Sequence, residues 1–363
     1  MTLNVSYPGI YLSEQNTNTI SIPNGQAIVP LFVCSSGSRP STQGVLYFDS
    51  YNDIDKYGKD NGNIYHISIS LWFRLGGGKC YMARVPDIEK AVQQYDEINL
   101  IVTAGFAGHN SDQTMDSQSG VIAAANNLAA SGRPVFTLLD GPEKKITQND
   151  LITTIIPGLS STPHAAVFYP WCQYDSEKYL APSIVAALAI AKTDSTRGAW
   201  KAPCNVPISG ITPRYPVTDD LQGKFNQGMA LNMIRTFPET GTVLWGARTL
   251  EDSDNWRYIP VRRLFDMVEK NIKTALGKLI FEPNSQPTWH SAKAAVDNYL
   301  HRLWQQGALM GNKPEEAWFI EIGKDITMTQ DDINQGKMIM KIGMAAVRPA
   351  EFIILQLTQD LGQ

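Results

Sequence analysis

Apolar residues fall along this chain in two rhythms, short unbroken runs and helical stripes, and the way the two alternate predicts its architecture. The run AIVPLFVC at 27–34 is of the kind found in strands buried on both faces. Beyond it, helix-like and strand-like pieces take turns: 67–75 then 80–85, 88–96 then 99–104, 120–130 then 135–139, and 151–155 then 165–169. An Ala-rich helix at 183–192 closes the series. The alternation predicts an α/β layer with a mainly parallel sheet.

The pattern changes near Gly198. The Pro-studded segment GAWKAPCNVPISGI at 198–211 holds neither a long helix nor a central strand, which places the crossing between two domains there. Strands are expected around 233–237 and 243–246. Two strongly periodic helices follow, one with Val261, Leu264, Phe265, Val268, Ile272 and Leu276 on a single face, the other with Ala292, Val296, Tyr299, Leu300 and Leu303. A strand at 318–322, a helix at about 330–342 and a strand at 349–357 complete the chain. The expected fold class is α/β, turning α+β in the C-terminal half, with one domain at 25–197 and a second at 198–345, which the family resemblance given below would make the outer and inner domains.

Both ends read as strands with nothing local to pair with. VSYPGIYL at 5–12 opens on a Tyr-Pro-Gly turn signal, a polar tether follows at 15–24, and PAEFIILQL spans 349–357. Apolar strand formers at chain ends need a partner, and an unpaired edge is a template for another chain. Residues 1–24 and 346–363 are therefore expected to be extended β-strand arms lent to neighbouring subunits.

Composition narrows the function classes. With 31 Lys+Arg against 35 Asp+Glu there is no net field to draw in phosphate backbones, so nucleic acid is not an expected partner. No run approaches the roughly eighteen apolar residues of a spanning helix, and residues 1–10 lack the pattern of a signal peptide. Synthesis in the cytoplasm without direct membrane insertion is expected. Cys34, Cys80, Cys172 and Cys204 lie far apart, which suits reduced core thiols.

Catalytic chemistry finds little support. The histidines His66, His109, His164, His290 and His301 are isolated, with no metal-ligand spacing. The GGGK at 76–79 departs from a phosphate loop, with Phe73 in the earlier glycine's place and Cys80 for the Ser/Thr, and reads as a turn. No GxSxG elbow exists. Ser183, His164 and Asp140 supply the residue types of a triad, but Ser183 after a proline at a helix start is the position of a cap. Arg248, Arg257, Arg262 and Arg263 interleave with Glu251, Asp252, Asp254 and Asp266, which reads as an ion-paired face or as a network at a subunit interface. Lys337 and Lys341 lie one turn apart on the expected 330–342 helix, with Asp331 and Asp332 at its start, a charge order the helix dipole favours.

Five ordered segments resemble the contractile tail sheath family, which coats the tubes of contractile phage tails, R-type pyocins and extracellular contractile injection systems. They are YPGIYLSE (7–14), TDSTRGAWKAPCN (193–205), WGARTLEDSDNWRYIPVRRLF (245–265), WQQGALMGNKPEEAWF (304–319) and GKMIMKIGMAAVRPAEFIILQL (336–357). Over 35–169 the resemblance rests on layout. The family's middle domain is described as subtilisin-like in fold, yet the subtilisin nucleophile signature is missing here, so that likeness would be one of architecture.

The resemblance implies a structural subunit and no enzyme, cofactor or metal. It implies stacked hexameric rings wound into a helical sheath around an inner tube protein, with baseplate and terminal cap proteins as further partners. Tyr7, Pro8, Gly9, Ile10 and Tyr11 would form the N-terminal arm contact; Glu351, Phe352, Ile353, Ile354, Leu355, Gln356 and Leu357 would form the C-terminal one. Lys337 and Lys341 would meet the tube. The short tethered arm favours the injection-system type, released extracellularly as a particle, with a phage tail or pyocin sheath as the alternative and an α/β hydrolase as the remote one.

Overall fold

The unbroken apolar runs become the strands of one mixed sheet. A computed structural model describes residues 22–23, 27–34, 44–57, 64–105, 113–156, 158–174, 178–352 and 354. Its strands, in chain order, are β1 (Pro30–Cys34), β2 (Leu46–Phe48), β3 (Cys80–Arg84), β4 (Leu100–Val102), β5 (Phe136–Asp140), β6 (Ala165–Tyr169), β7 (Cys172–Tyr174), β8 (Lys178–Leu180), β9 (Ile211–Pro213), β10 (Leu231–Phe237) and β11 (Gly241–Leu244). Eight of them order as β11-β10-β6-β5-β4-β1-β3-β2. Pairing is parallel from β10 through to β3 and antiparallel at both margins, where β11 meets β10 and β2 meets β3.

Every residue of β1, β4, β5 and β6 is buried, as strands covered on both faces require. Helices supply the cover: α1 (Ile64–Arg74), α2 (Ile88–Gln94), α3 (Gln113–Ala130), the single turn α4 (Ile152–Ile155), α5 (Pro182–Arg197) and α6 (Asp219–Lys224). Helix α5 is buried at each position from Pro182 to Ile190 and packs on β5 and β6. Its small alanines let it lie close against the sheet. The GGGK segment is the turn expected of it, with Gly77 N–H donating to the Trp72 carbonyl at 2.8 Å and the Trp72 indole donating to the Gly78 carbonyl at 2.6 Å.

The expected crossing near Gly198 does not part the chain. Among the described residues, 27–270 with 346–352 belong to one unit and 271–345 to the other, so the division falls within α7 (Ile259–Leu276). The Pro-studded segment stays with the first unit because its backbone groups are taken up there. Asn205 and Ile208 donate to the carbonyls of Leu244 and Thr242, and β9 pairs with β7 in a small three-stranded sheet with β8. Strand β10 then joins the large sheet beside β6.

The second unit is built on α8 (Gln286–Gln305), the single turn α9 (Pro314–Ala317), β12 (Trp318–Ile322), the short helix α10 (Gln330–Asn334) and β13 (Met340–Met344). The stripe Ala292, Val296, Tyr299, Leu300 and Leu303 is buried, as its spacing predicts. The helix expected over 330–342 is corrected: it ends at Asn334, and β13 begins six residues later. Gly336 at φ +75° is the cause, since that left-handed backbone terminates a helix and sends Gly336 and Lys337 N–H back to the Ile333 and Asp332 carbonyls. Thr329 and Asp332 close a capping box at the other end.

Candidate assembly surfaces

β12 and β13 pair only with each other among the described residues, in an antiparallel register that sets Trp318 opposite Met344 and Ile322 opposite Met340. Each strand thus keeps one edge not taken by another strand. A two-stranded sheet is marginal alone, and here one face is secured by α8: Trp318 and Ile320 are buried, and the Trp318 indole donates to Asp297 of α8 at 2.9 Å. The other face carries Phe319, Glu321, Lys341 and Gly343. The Phe319 ring lies across Gly343, where a Cβ would come within 2.1 Å of the ring. A side chain at this position would have to push the half-exposed ring aside.

Lys341 stands beside Phe319, its ammonium 5.8 Å from the ring centre and 3.8 Å from Glu321. Lys337 lies 3.7 Å from Asp332 in the turn after α10. The two lysines therefore do not share a helix face; one is on a strand and the other in a turn. Both are exposed, at 55% and 67% of the side chain, so solvent screens these pairs and leaves the lysines available.

The root of the C-terminal arm is held by a polar clamp in the first unit. The Arg248 guanidinium meets the Glu351 carboxylate side-on, with Nε at 3.0 and 3.1 Å from its two oxygens and Nη2 at 2.6 Å from Oε2. The Tyr258 hydroxyl and the Asn226 amide add donors at 3.2 Å each. Burial pushes the Glu351 carboxyl up, but the bonds from Arg248 and Asn226 and the Arg248 charge outweigh it and hold the group below its ordinary value. Just beyond, Phe352 and Ile354 are 71% and 83% exposed.

The strand expected at 349–357 does not form at Pro349, Ala350, Glu351, Phe352 or Ile354 in the single chain. Ile353, Leu355, Gln356 and Leu357 lie outside the described residues, as do Tyr7, Pro8, Gly9, Ile10 and Tyr11.

The residue types of a triad are only partly brought together. Asp140 is fully buried and accepts from Ser183 N–H at 2.9 Å, Thr103 Oγ1 at 2.6 Å and Gly105 N–H at 2.8 Å. Burial pushes its carboxyl up, against the pull of these bonds. Ser183 Oγ accepts from Ala104 N–H at 2.9 Å and is completely enclosed, so it presents no nucleophile. His164 turns elsewhere, its Nδ1 3.8 Å from Asp266. The bracket pins the N-terminus of α5 to the ends of β4 and β5.

The basic cluster resolves into pairs within the chain. Arg257 pairs with Asp252 and Asp254, and Arg262 with Asp266; Arg263 reaches Asp194, and Arg248 reaches Glu351. The first three acids lie close in sequence and were legible. Asp194 and Glu351 were not. Cys34, Cys80 and Cys172 are buried and Cys204 half-buried, none of them in a disulfide, and burial pushes the Cys204 thiol up to about 11. Among the described residues no cluster of His, Cys, Asp or Glu is arranged to hold a metal ion, and no helix is long and apolar enough to cross a membrane.

Comparison with known proteins adds a family model and solved relatives. Residues 251–360 match the phage tail sheath C-terminal domain. The chain is 43% identical to a chain of the contracted sheath complex of PVC, an extracellular contractile injection system, covering 99% of each with a TM-score of 0.85. It is 51% identical to a chain of the anti-feeding prophage baseplate in the contracted state, covering 98% of this chain and 99% of that one with a TM-score of 0.86. The tail sheath protein of Vibrio phage KVP40 is 22% identical over 294 residues, which is 70% of this chain but only 44% of that protein's length.

Proposed function

The chain belongs to the contractile tail sheath family, and from that premise we propose that it is the structural subunit of a contractile sheath, one that polymerises helically around an inner tube and contracts to drive the tube through a target cell envelope. It is no enzyme. The extracellular injection-system type is favoured by one observation: identity of 43% and 51% over almost the whole chain to injection-system proteins, against 22% over part of it to a phage sheath. A phage tail or R-type pyocin sheath is the second reading.

Among the described residues β12 and β13 pair with no further strand, which supports strand donation as the way copies join. Residues Tyr7 to Tyr11 of one neighbour and Phe352 to Leu357 of another, the latter segment rooted at Glu351, would add strands there, main-chain hydrogen bonds giving the affinity and side-chain alternation the register. Such contacts are heterologous and do not close, so they build stacked rings, taken as hexameric, wound into a tube. The arms hold the lattice while the subunit bodies repack. Energy stored in interface packing during assembly would be released on contraction, with no nucleotide or other cofactor.

Lys337 and Lys341 are proposed to meet acidic residues of the inner tube protein, although Asp332 and Glu321 partly offset their charge. Baseplate and terminal cap proteins would close the two ends, and the particle would leave the cell in which it is made. The remote α/β hydrolase reading has no geometric support, since Ser183 is enclosed and His164 faces Asp266.

Negative-stain microscopy of the purified protein, with and without the tube protein, tests the proposal. Long hollow cylinders are expected. A protein that remains monomeric under both conditions would overturn it.

A further inference from the structure

We propose that Glu351 anchors the C-terminal arm to its own subunit's eight-stranded sheet, with Arg248, Tyr258 and Asn226 as the positioning residues, so that the arm is presented to a neighbouring copy from an ordered root. The inference rests on the strand-donation reading above and goes beyond it by naming what bears load at the near end of the arm.

Three side chains converge on one carboxylate: Arg248 from two nitrogens, Tyr258 through its hydroxyl and Asn226 through its amide. Planar two-point pairing of a guanidinium with a carboxylate fixes orientation as well as distance. The grip is local, because Ala350 on one side and Phe352 on the other are exposed.

What lies behind the grip is the eight-stranded sheet, at its second and third strands. Arg248 N–H donates to Asn232 Oδ1 at 2.7 Å, and the Arg248 carbonyl accepts from Asn232 Nδ2 at 2.8 Å. Asn232 is buried in β10, and its Nδ2 also donates to the Val167 carbonyl of β6 at 3.1 Å. Tyr258 forms a bridge with Arg248, and flanking backbone bonds from Thr249 to Arg257 and from Ile259 to Ala247 carry that bridge to the start of α7. A pull on the arm is therefore passed from Glu351 through Arg248 and Asn232 to two adjacent strands. It does not have to peel β13 to be resisted.

An ordered root also lowers the cost of donation. Every residue immobilised on pairing loses backbone entropy, and a segment whose first residue is already fixed loses less.

The test measures two quantities on the full-length subunit: hydrogen exchange of the 346–352 backbone before assembly, and the lowest protein concentration that gives cylinders. Glu351→Gln keeps the shape but turns an amide nitrogen or an uncharged oxygen toward Arg248. It is expected to raise exchange at 346–352 at least tenfold while the sheet strands stay protected, and to raise the assembly threshold at least tenfold. Tyr258→Phe removes a single donor and should raise both by a smaller factor, which keeps the test alive if Glu351→Gln does not fold. Unchanged exchange in both variants overturns the anchor, as does faster exchange with an unchanged threshold. A subunit lacking 352–363, run in parallel, separates the two ideas: if it forms cylinders normally, strand donation by this arm fails, whatever the clamp does.

Discussion

Arg263 of α7 closes a two-point ion pair on Asp194 of α5, with Nη1 to Oδ1 at 3.0 Å and Nη2 to Oδ2 at 2.5 Å, and both side chains are only 8% exposed. The pair joins the end of the most buried helix to the start of the helix that leads out of the first unit. Two of the sequence blocks that resemble sheath proteins, 193–205 and 245–265, thus meet at one contact.

Removing one partner leaves the other charged and enclosed. Asp194→Ala is expected to cost about 3–5 kcal/mol of subunit stability, the penalty of an uncompensated buried charge. Replacing both by apolar residues of similar size, Asp194→Leu with Arg263→Met, should cost much less than the sum of the single changes. Denaturant unfolding of the three variants checks this, and equal, additive losses would contradict it.

Gly343 lies under the half-exposed Phe319 ring, which any side chain there would have to displace. Gly343→Val is expected to push the Phe319 ring off its seat, to change the stability of the β12–β13 sheet by no more than about 1 kcal/mol, and to reduce cylinder formation. Phe319→Ala in the same chain should recover much of the loss. A double variant no better than Gly343→Val would show that the ring is not the obstacle.

Removal of 352–363 leaves the Glu351 clamp and every helix in place. The truncated subunit should be folded by circular dichroism and monomeric or nearly so by sizing, without cylinders in the microscope. A wholly unfolded product would mean instead that the segment belongs to its own subunit's core.

Charge reversal of both tube-facing candidates, Lys337→Glu with Lys341→Glu, should weaken loading onto tubes. The effect should be greater at low salt, because exposed charges are screened over about 8 Å at physiological ionic strength. Each lysine has an acidic neighbour, so subunit stability itself should move by no more than about 1 kcal/mol. Cosedimentation with preformed tubes reads the first quantity; loading equal to wild type would remove these lysines from the tube contact.

The clamp has a definite pH signature. Glu351 is held below its ordinary value of 4.5 in the folded chain, so the unfolded state binds its proton more readily. The stabilisation is complete above pH 4.5 and is lost as pH falls through the lower folded value. The difference in unfolding midpoint between wild type and Glu351→Gln should therefore be constant at neutral pH and shrink only in acid. A gap that widened on acidification would have the wrong sign.

Local periodicity carried much of this fold in the sequence alone. The runs at 165–169 and 318–322 read as strands and are β6 and β12; the stripes through Val268 and Val296 read as helices and are α7 and α8. Alternation of runs and stripes also gave the parallel sheet, because side-chain spacing is a property of adjacent residues. The end of α10 is legible too, in Gly336, whose left-handed backbone stops the helix whatever the charge order around it favours. Which strands neighbour one another was not legible. β10 lies beside β6 although more than sixty positions separate Val167 from Leu231, and that pairing is why the division falls in α7 and not at Gly198. The same holds for side chains: Ser183 meets Asp140, Arg263 meets Asp194 and Arg248 meets Glu351, the last pair 103 residues apart. A buried polar group takes whichever partner the completed fold brings within reach, and no spacing along one chain records that choice; only the tertiary structure decides it.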